Sequence, residues 1–248
     1  MTSLARRKGL ASQFDDAHAM LDEAQVLAGD DPVNLGWCAI ERGRLYNSAG
    51  LPERALTFFE RAWKLAQSAS EHNLAVDALH MLAIATPVDT AAAWTRVALD
   101  YIAAHPRATH WKGPLYNNIG WHYFEAERYE DALDAFRLGV LARENGGARE
   151  LRIAHYTVIR TLRALGRLDE AIALGEHVVE VADAAGEAAP FVYEEKAECH
   201  AGRDPARAAA FAGRALASLA QNAQFVAGER ERLERLQALV GGATESTG

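Results

Sequence analysis

Two segments of the sequence follow one pattern of small, aromatic and apolar residues. Residues 43–62 read GRLYNSAGLPERALTFFERA, and residues 120–139 read GWHYFEAERYEDALDAFRLG. In both segments a tyrosine follows the leading glycine by three residues, an alanine by twelve, a phenylalanine by sixteen and a small residue by nineteen. Agreement at five linked positions indicates an internal repeat, and a repeat of this length is typical of an array of similar structural units.

Weaker copies of the pattern run along most of the chain. An alanine marks each copy, and successive marker alanines lie 38, 36, 41, 39 and 37 residues apart. Most markers are followed by small or apolar residues four and seven positions later, which places a flat stripe on one side of a helix, where a second helix can pack closely. The marker alanines are Ala17, Ala55, Ala91, Ala132, Ala171 and Ala208.

Prolines and glycines divide each repeat into two helices. Pro52 and Pro205 are predicted at the first turn of a second helix, where the missing N–H group has no intrahelical partner to lose. Gly50 and Gly166 are predicted in the tight turn between paired helices, where a positive φ is needed. None of the seven prolines falls in the interior of a predicted helix. Each repeat is therefore predicted to be a helical hairpin.

This pattern resembles the tetratricopeptide repeat (TPR) family. The residues that carry the resemblance are Gly43, Tyr46, Gly50, Ala55, Phe59 and Ala62. The second copy departs from the family pattern at the turn, where Glu127 replaces glycine. The resemblance implies an all-α fold, a right-handed α-solenoid of about six TPR-like helical hairpins, with a C-terminal capping helix that closes its end.

The predicted solenoid occupies residues 1–241 as a single domain, and residues 242–248 are predicted to form a disordered tail. The capping helix is expected over residues 224–240, ended by Gly241-Gly242. The predicted hairpins are residues 2–33, 34–69, 70–108, 109–148, 149–186 and 187–222.

Composition excludes several classes of function. The chain has 248 residues, 51 alanines and only 20 valines and isoleucines, which favours helices over a large sheet. Its formal charge of −8 is the wrong sign for a protein that neutralises a phosphate backbone, so no nucleic-acid partner is expected. A secretory signal and long apolar runs are both absent from the sequence, which predicts a cytoplasmic protein without a membrane partner. Cys38 and Cys199 are expected to be buried thiols.

Candidate binding residues lie on the first helix of each predicted hairpin, which the family resemblance places along a concave groove. Spacings that follow the helical period put aromatic, arginine, asparagine and histidine side chains on one face. Such residues dominate protein interfaces, and an asparagine amide can pair with both the N–H and the C=O of an extended peptide. The candidates are Arg44, Asn47, Asp77, His80, Asn117, Trp121, Tyr156, Arg160, Arg163 and Tyr193. The alternative interpretation is that the aromatic residues fill gaps between hairpins and the arginines extend along the surface.

The sequence predicts a non-enzymatic scaffold or adaptor that binds a peptide segment or a partner helix in this groove. Because the predicted groove carries arginines in an acidic protein, an acidic or C-terminal segment is the favoured partner. The alternative is a TPR-type regulator that senses a small signalling peptide or a metabolite. The nine histidines form no metal-binding motif and no catalytic motif is present, so neither a metal nor a cofactor is expected.

Overall fold

The structure, a computed structural model, describes residues 1–245. This part of the chain contains fourteen α-helices, one short 3₁₀ segment and no strand, as predicted for an all-α fold. The helices form two compact units, unit 1 over Met1–Ala126 and unit 2 from Glu127 onward. The predicted single domain over residues 1–241 stays a prediction, and each unit is described by itself.

Unit 1 is built from consecutive helical hairpins. Helix α1 packs against α2, α3 against α4 and α5 against α6, and each hairpin also contacts the helix that follows it. The largest fully buried side chains include Phe59, Leu74 and Ile102. The helices are α1 (Thr2–Leu10), α2 (Phe14–Ala28), α3 (Pro32–Ser48), α4 (Pro52–Ser68), α5 (His72–Ile84), α6 (Val88–Ala104) and α7 (Lys112–Glu125), with the 3₁₀ segment Pro106–Trp111 before α7.

Unit 2 repeats the same construction. Helix α9 packs against α10 and α11 against α12, and α14 then packs on α12. Phe136, Ile159 and Leu236 are among its fully buried side chains. The helices are α8 (Tyr129–Leu141), α9 (Ala148–Ala164), α10 (Leu168–Ala184), α11 (Pro190–His200), α12 (Pro205–Leu219), α13 (Ala223–Gly228) and α14 (Arg230–Glu245).

The turn and proline assignments made from the sequence are confirmed. Pro52 and Pro205 are the first residues of α4 and α12. Gly50 and Gly166 adopt φ values of +74° and +72° in the turns that follow α3 and α9. Glu127 occupies the corresponding turn after α7 with φ +58°, so the left-handed conformation is kept there without glycine.

The small residues of the repeat lie where helices approach closely. Ala55 and Ala62 are fully buried in α4, beside the ring of Phe59. A Cβ atom on Gly43 would lie 2.4 Å from Cε1 of Phe59, so the pattern of glycine and phenylalanine reflects direct contact between α3 and α4. This contact explains why the two residue types recur together in the sequence.

The C-terminal region differs from the prediction in two respects. The expected capping helix over residues 224–240 is split, because α13 ends at Gly228 and Glu229 caps the start of α14 through its carbonyl, which accepts the Leu233 N–H. Helix α14 then continues through Gly241 and Gly242 to Glu245. Two glycines raise the free energy of a helix by about 2 kcal/mol but do not block it as proline does. Helix α14 thus includes residues 242–245 of the predicted disordered tail, and residues 246–248 lie outside the described residues.

Among the described helices, none combines the length and the apolar character needed to cross a membrane.

Cys38 and Cys199 are free and buried, as expected, and burial raises the pKa of the Cys199 thiol to about 11. A thiol with a raised pKa is a poor nucleophile at neutral pH.

Candidate functional site

The candidate residues lie on helices that neighbour one another within each unit. In unit 1 the first helices of successive hairpins are in contact, α1 with α3, α3 with α5 and α5 with α7. In unit 2, α9 contacts α11 and α11 contacts α14. We define the first-helix face of unit 1 as the side of α3, α5 and α7 that carries the candidates, and that of unit 2 as the corresponding side of α9 and α11.

Arg44 is the centre of an ionic cluster on the first-helix face of unit 1. Its Nη2 atom donates to both carboxylate oxygens of Asp77, at 2.6 and 2.7 Å, and its Nη1 atom donates to Oε1 of Glu41 at 2.6 Å. Asp77 and Glu41 are both buried. Arg6 of α1 approaches the same Glu41 oxygen at 3.5 Å, so the cluster links α1, α3 and α5.

His80 continues this row of contacts from α5 to α7. Its Nε2 atom lies 2.5 Å from Nδ2 of Asn118, and its ring lies 5.4 Å from that of Trp111. Because an amide nitrogen can only donate, the imidazole accepts this hydrogen bond in its neutral form. Burial lowers the pKa of His80 to about 4, which keeps the ring neutral at pH 7. Nδ2 of Asn117 donates to Oδ1 of the Asn118 side chain at 3.2 Å.

The remaining candidates of unit 1 are accessible in part. Asn47, Asn117 and Trp121 are half-buried. Asn47 lines a small cavity of about 170 Å³ together with Arg44 and Met81. Trp121 packs edge-to-face against Phe124, with ring centroids 5.4 Å apart.

Glu195 organises the first-helix face of unit 2. Its side chain is fully buried and accepts from Nη1 of Arg160 at 3.2 Å and from Nε of Arg163 at 2.6 Å. Burial raises the pKa of Glu195, and the two guanidinium groups oppose that shift. Arg160 also donates to the hydroxyl of Tyr156 at 3.1 Å, so the buried tyrosine belongs to the same cluster.

Tyr193 does not lie on the first-helix face. It is buried, its hydroxyl accepts from Nη2 of Arg214 at 2.8 Å, and that guanidinium lies 4.0 Å from the centre of its ring. The side chain therefore packs between α11 and α12. On the other side of α11, Glu194 forms a two-point ion pair with Arg232 of α14, at 2.8 and 2.6 Å.

These polar contacts recur at the repeat length. Each one joins a first helix to the next first helix, or α11 to α14, and the partners are 32 to 38 residues apart in the chain. We refer to them as the hairpin-bridging pairs. The pairs are Arg6–Glu41, Arg44–Asp77, His80–Asn118, Arg160–Glu195, Arg163–Glu195 and Glu194–Arg232.

The hairpin-bridging pairs correct the electrostatic argument made from the sequence. The arginines expected to give the groove a positive charge are held by buried carboxylates, because a guanidinium so close to the core requires a counter-charge. Glu41 and Glu195, which supply that charge, were not among the candidates. Opposite charges spaced by one repeat are the sequence signal that could have identified them.

Asp77, Tyr156 and Tyr193 are buried, and the other seven candidates are partly exposed. Arg44, Asp77 and His80 are brought together in unit 1, and Tyr156, Arg160 and Arg163 in unit 2. In residues 1–245, no group of three or more histidine, cysteine, aspartate or glutamate residues is arranged to hold a metal ion.

Comparison with known proteins finds similarity in structure alone. No protein-family model matches the chain, and no curated protein matches it. The crystal structure of BtubC (BKLC) from P. vanneervenii is similar to the chain with a TM-score of 0.61 at 18% sequence identity, over 94% of this chain and 92% of that one.

Two Rap structures are also similar. A Rap protein complexed with Competence and Sporulation Factor gives a TM-score of 0.60 at 11% identity, over 98% of this chain and 73% of that one. The Rap conjugation gene regulator of the plasmid pLS20, in complex with the Phr* peptide, gives 0.54 at 17% identity, over 98% and 74% of the two chains. At these identities the likeness is one of fold, and the chain has a TPR-type fold of helical hairpins.

Proposed function

We propose that this protein is a non-enzymatic interaction scaffold that binds a peptide segment or a partner helix on its first-helix faces. The observation that carries the proposal is that the side chains of these faces fall into two groups, paired charged groups and partly exposed amide and aromatic groups. The charged groups form ion pairs with one another in the hairpin-bridging pairs, whereas the amide and aromatic groups beside them are accessible to a ligand. A surface fixed in this way binds with little loss of side-chain entropy.

Amide and apolar groups on the faces suit an extended peptide. Asn47 and Asn117 are partly exposed and offer both a donor and an acceptor to a peptide backbone. Trp37 of α3 and Ile153 of α9, on the same faces, expose 38% and 43% of their surface. An exposed tryptophan next to hydrogen-bonding groups is typical of an interface anchor. Trp121, half-buried on α7, is proposed as a second aromatic contact.

The other candidate residues have positioning roles in this proposal. Asp77 holds Arg44, and Tyr193 holds Arg214, each from a buried position. Arg160 and Arg163 keep donors at the edge of the face of unit 2 while Glu195 compensates their charge. His80 is neutral and keeps α5 and α7 in register through Asn118.

The preference for an acidic or C-terminal segment remains part of the proposal on different grounds. Paired arginines contribute little to long-range attraction, because a nearby carboxylate cancels their field. The preference must come from cations at the rim of a face that are not engaged in such pairs. Arg149, an exposed residue at the start of α9, is such a cation, and no ion pair joins it to any residue of the described chain.

A peptide array tests the proposal. We expect the full chain to select a subset of immobilised random peptides, and Trp37→Ala with Asn47→Ala to reduce the signal of the peptides that bind unit 1 at least fivefold. Gln67→Ala, at an exposed position of the second helix α4, is the control and should leave the pattern unchanged. Absence of any reproducible selection, or selection that is identical for the double variant, would contradict the proposal.

A second candidate function is a regulator that senses a small signalling peptide or a metabolite. The fold similarity to a Rap regulator in complex with the Phr* peptide favours this function, because that regulator binds a peptide on a similar fold. A sensor must differ in affinity between two conformations. Small-angle scattering that shows compaction of the chain on peptide addition would support the regulator, and an unchanged radius of gyration would support the scaffold.

A further inference from the structure

Unit 2 contains a pocket of about 270 Å³ at one end of the first-helix face. It lies between the first three turns of α9, the connection from α10 to α11, the first turn of α11 and the end of α12. We call it the α9–α11 pocket. Its chemistry differs from that of the rest of the face, because the buried carboxylates Glu194 and Glu195 do not line it.

The interior of the α9–α11 pocket is apolar. Tyr156, Val192 and Leu219 are buried and form its floor, and Ile153 lies on its wall with 43% of its surface exposed. The ring of Phe191 lies 5.3 Å from that of Tyr156, so one side of the pocket is aromatic. When another apolar group covers an apolar wall that is open to solvent, the free energy of the complex is lowered.

The rim of the pocket is cationic. Arg149 is exposed and makes no ion pair with any described residue, and Arg152 is paired with Glu187. The rim therefore carries two guanidinium groups against one carboxylate. Arg149 and Ile153 are four residues apart on α9, a separation of about 6 Å along the helix axis. A cation and an apolar wall thus face the same space at the distance of one helical turn.

The size of the pocket limits the ligand. Pockets that enclose a whole small molecule have volumes of about 300–1,000 Å³. The α9–α11 pocket, at about 270 Å³, is below that range. Its volume suits one apolar side chain and the group directly attached to it.

We propose that the α9–α11 pocket binds the C-terminal residue of a partner peptide, with its apolar side chain against Ile153, Tyr156 and Phe191 and its terminal carboxylate on Arg149. Only the last residue of a chain carries a carboxylate and a side chain on the same carbon atom, which matches a cation one turn from an apolar wall. This inference rests on the proposed function and gives it a site and a ligand class. A planar guanidinium can bind a carboxylate through two parallel hydrogen bonds.

Fluorescence anisotropy with two peptide pools tests the inference on the full chain. Both pools are labelled pentapeptides with mixed residues at the first four positions and leucine at the last. One pool ends in a free carboxylate and the other in an amide. We expect half-saturation by the carboxylate pool at about a tenfold lower protein concentration, which is the effect of one charge-assisted contact.

Two variants with matched controls assign the effect to the pocket. Arg149→Gln should abolish the difference between the two pools, whereas Arg7→Gln, at another exposed arginine without an ion pair among the described residues, should retain it. Ile153→Ser should weaken binding of both pools at least fivefold, whereas Val181→Ser, at an exposed valine of α10, should not. All four substitutions are at exposed side chains, so folding is expected to persist.

The outcomes separate the inference from the proposed function. Equal affinity for the two pools, or a carboxylate preference that survives in Arg149→Gln, overturns the inference. If the amide pool still binds and Trp37→Ala with Asn47→Ala weakens it, the proposed function stands without the α9–α11 pocket. If neither pool binds the wild-type chain, both are wrong.

Discussion

At the scale of single residues, the turn after α7 stores strain. Glu127 is held at φ +58°, whereas Gly50 and Gly166 occupy the equivalent turns after α3 and α9. A left-handed conformation costs a residue with a Cβ atom about 1–2 kcal/mol. The repeat pattern imposes this conformation whether or not the sequence supplies glycine.

Glycine at this position should therefore stabilise the protein. We expect Glu127→Gly to raise the free energy of unfolding by about 0.5–1 kcal/mol, because relief of strain exceeds the added entropy of the unfolded chain. Glu127→Ala keeps the Cβ atom and should bring no gain. Urea denaturation of the three proteins measures the difference, and equal stability of the glycine and alanine variants would contradict the assignment of strain.

The glycine of the repeat is expected to act in the opposite direction. A Cβ atom at Gly43 would lie 2.4 Å from the buried ring of Phe59. We expect Gly43→Ala to lower the free energy of unfolding by about 1–2 kcal/mol, because overpacking exceeds the gain in helix propensity. Gly213→Ala, in α12, brings the new Cβ within 4 Å of no atom beyond the local backbone of its own helix, and it should be neutral or stabilising. Thermal melts of both variants measure the change in stability. A Gly43→Ala variant as stable as Gly213→Ala would show that α3 and α4 are further apart than this close contact requires.

His80 makes the protein sensitive to mild acid. Burial lowers its pKa to about 4, below the value of 6.5 of an unburied histidine. Between these values the unfolded chain binds a proton that the folded chain does not, so stability falls as the pH drops from about 6.5 toward 4. From pH 7.5 to pH 5 this histidine contributes a loss of about 2 kcal/mol.

Replacing the imidazole isolates this effect. His80→Gln cannot titrate, so its stability should fall by about 2 kcal/mol less than that of the wild type over the same pH interval. The measurement is urea denaturation of both proteins at pH 7.5 and pH 5. Parallel losses in the two proteins would show that His80 titrates normally and is not buried against Asn118 and Trp111.

At the scale of helices, the hairpin-bridging pairs fix each first helix to the next. Their partners come from separate hairpins, so they hold the register between hairpins that apolar packing alone specifies loosely. Glu195 is the clearest case, because one buried carboxylate serves Arg160 and Arg163. Removal of its charge leaves two guanidinium groups without their partner in that cluster.

Glu195→Gln should therefore be strongly destabilising. We expect a loss of about 2–4 kcal/mol, because breaking a buried ion pair leaves uncompensated charge in the core. Glu234→Gln removes the carboxylate of an exposed pair with Arg230 on α14 and should change stability by less than about 0.5 kcal/mol. Denaturant melts with both variants make the comparison. Similar small effects for the two would mean that the cluster at Glu195 is hydrated.

Helices were predictable from the sequence where local chemistry determines them. Pro52 and Pro205 mark helix starts because proline fixes φ, and Gly50 marks a helix end because glycine adopts a positive φ without steric cost. The split at Glu229 and the continuation of α14 through Gly241 and Gly242 were not predictable in this way. Both depend on what α14 packs against, and the buried Leu236 and the Glu194–Arg232 pair supply that constraint.

At the scale of the whole molecule, the repeat determined which helices carry the candidate site, but it did not determine how their charges are paired. The helical period places Arg160 and Arg163 on one side of α9, where both contact Glu195. It could not show that Asp77 and Glu195 point inward to meet arginines, because burial depends on the neighbouring hairpin. The net charge of −8 describes the whole chain and says nothing about one face.

Amide hydrogen exchange of the full chain with a selected peptide tests whether partners bind to the first helices. We expect slower exchange on peptide addition in α3, α5 and α7, or in α9 and α11, because a bound peptide suppresses local opening of the helices that it contacts. Exchange in the second helices α4, α6, α10 and α12 should change less. Protection confined to the second helices, with unchanged exchange in the first helices, would show that partners do not bind to the first helices.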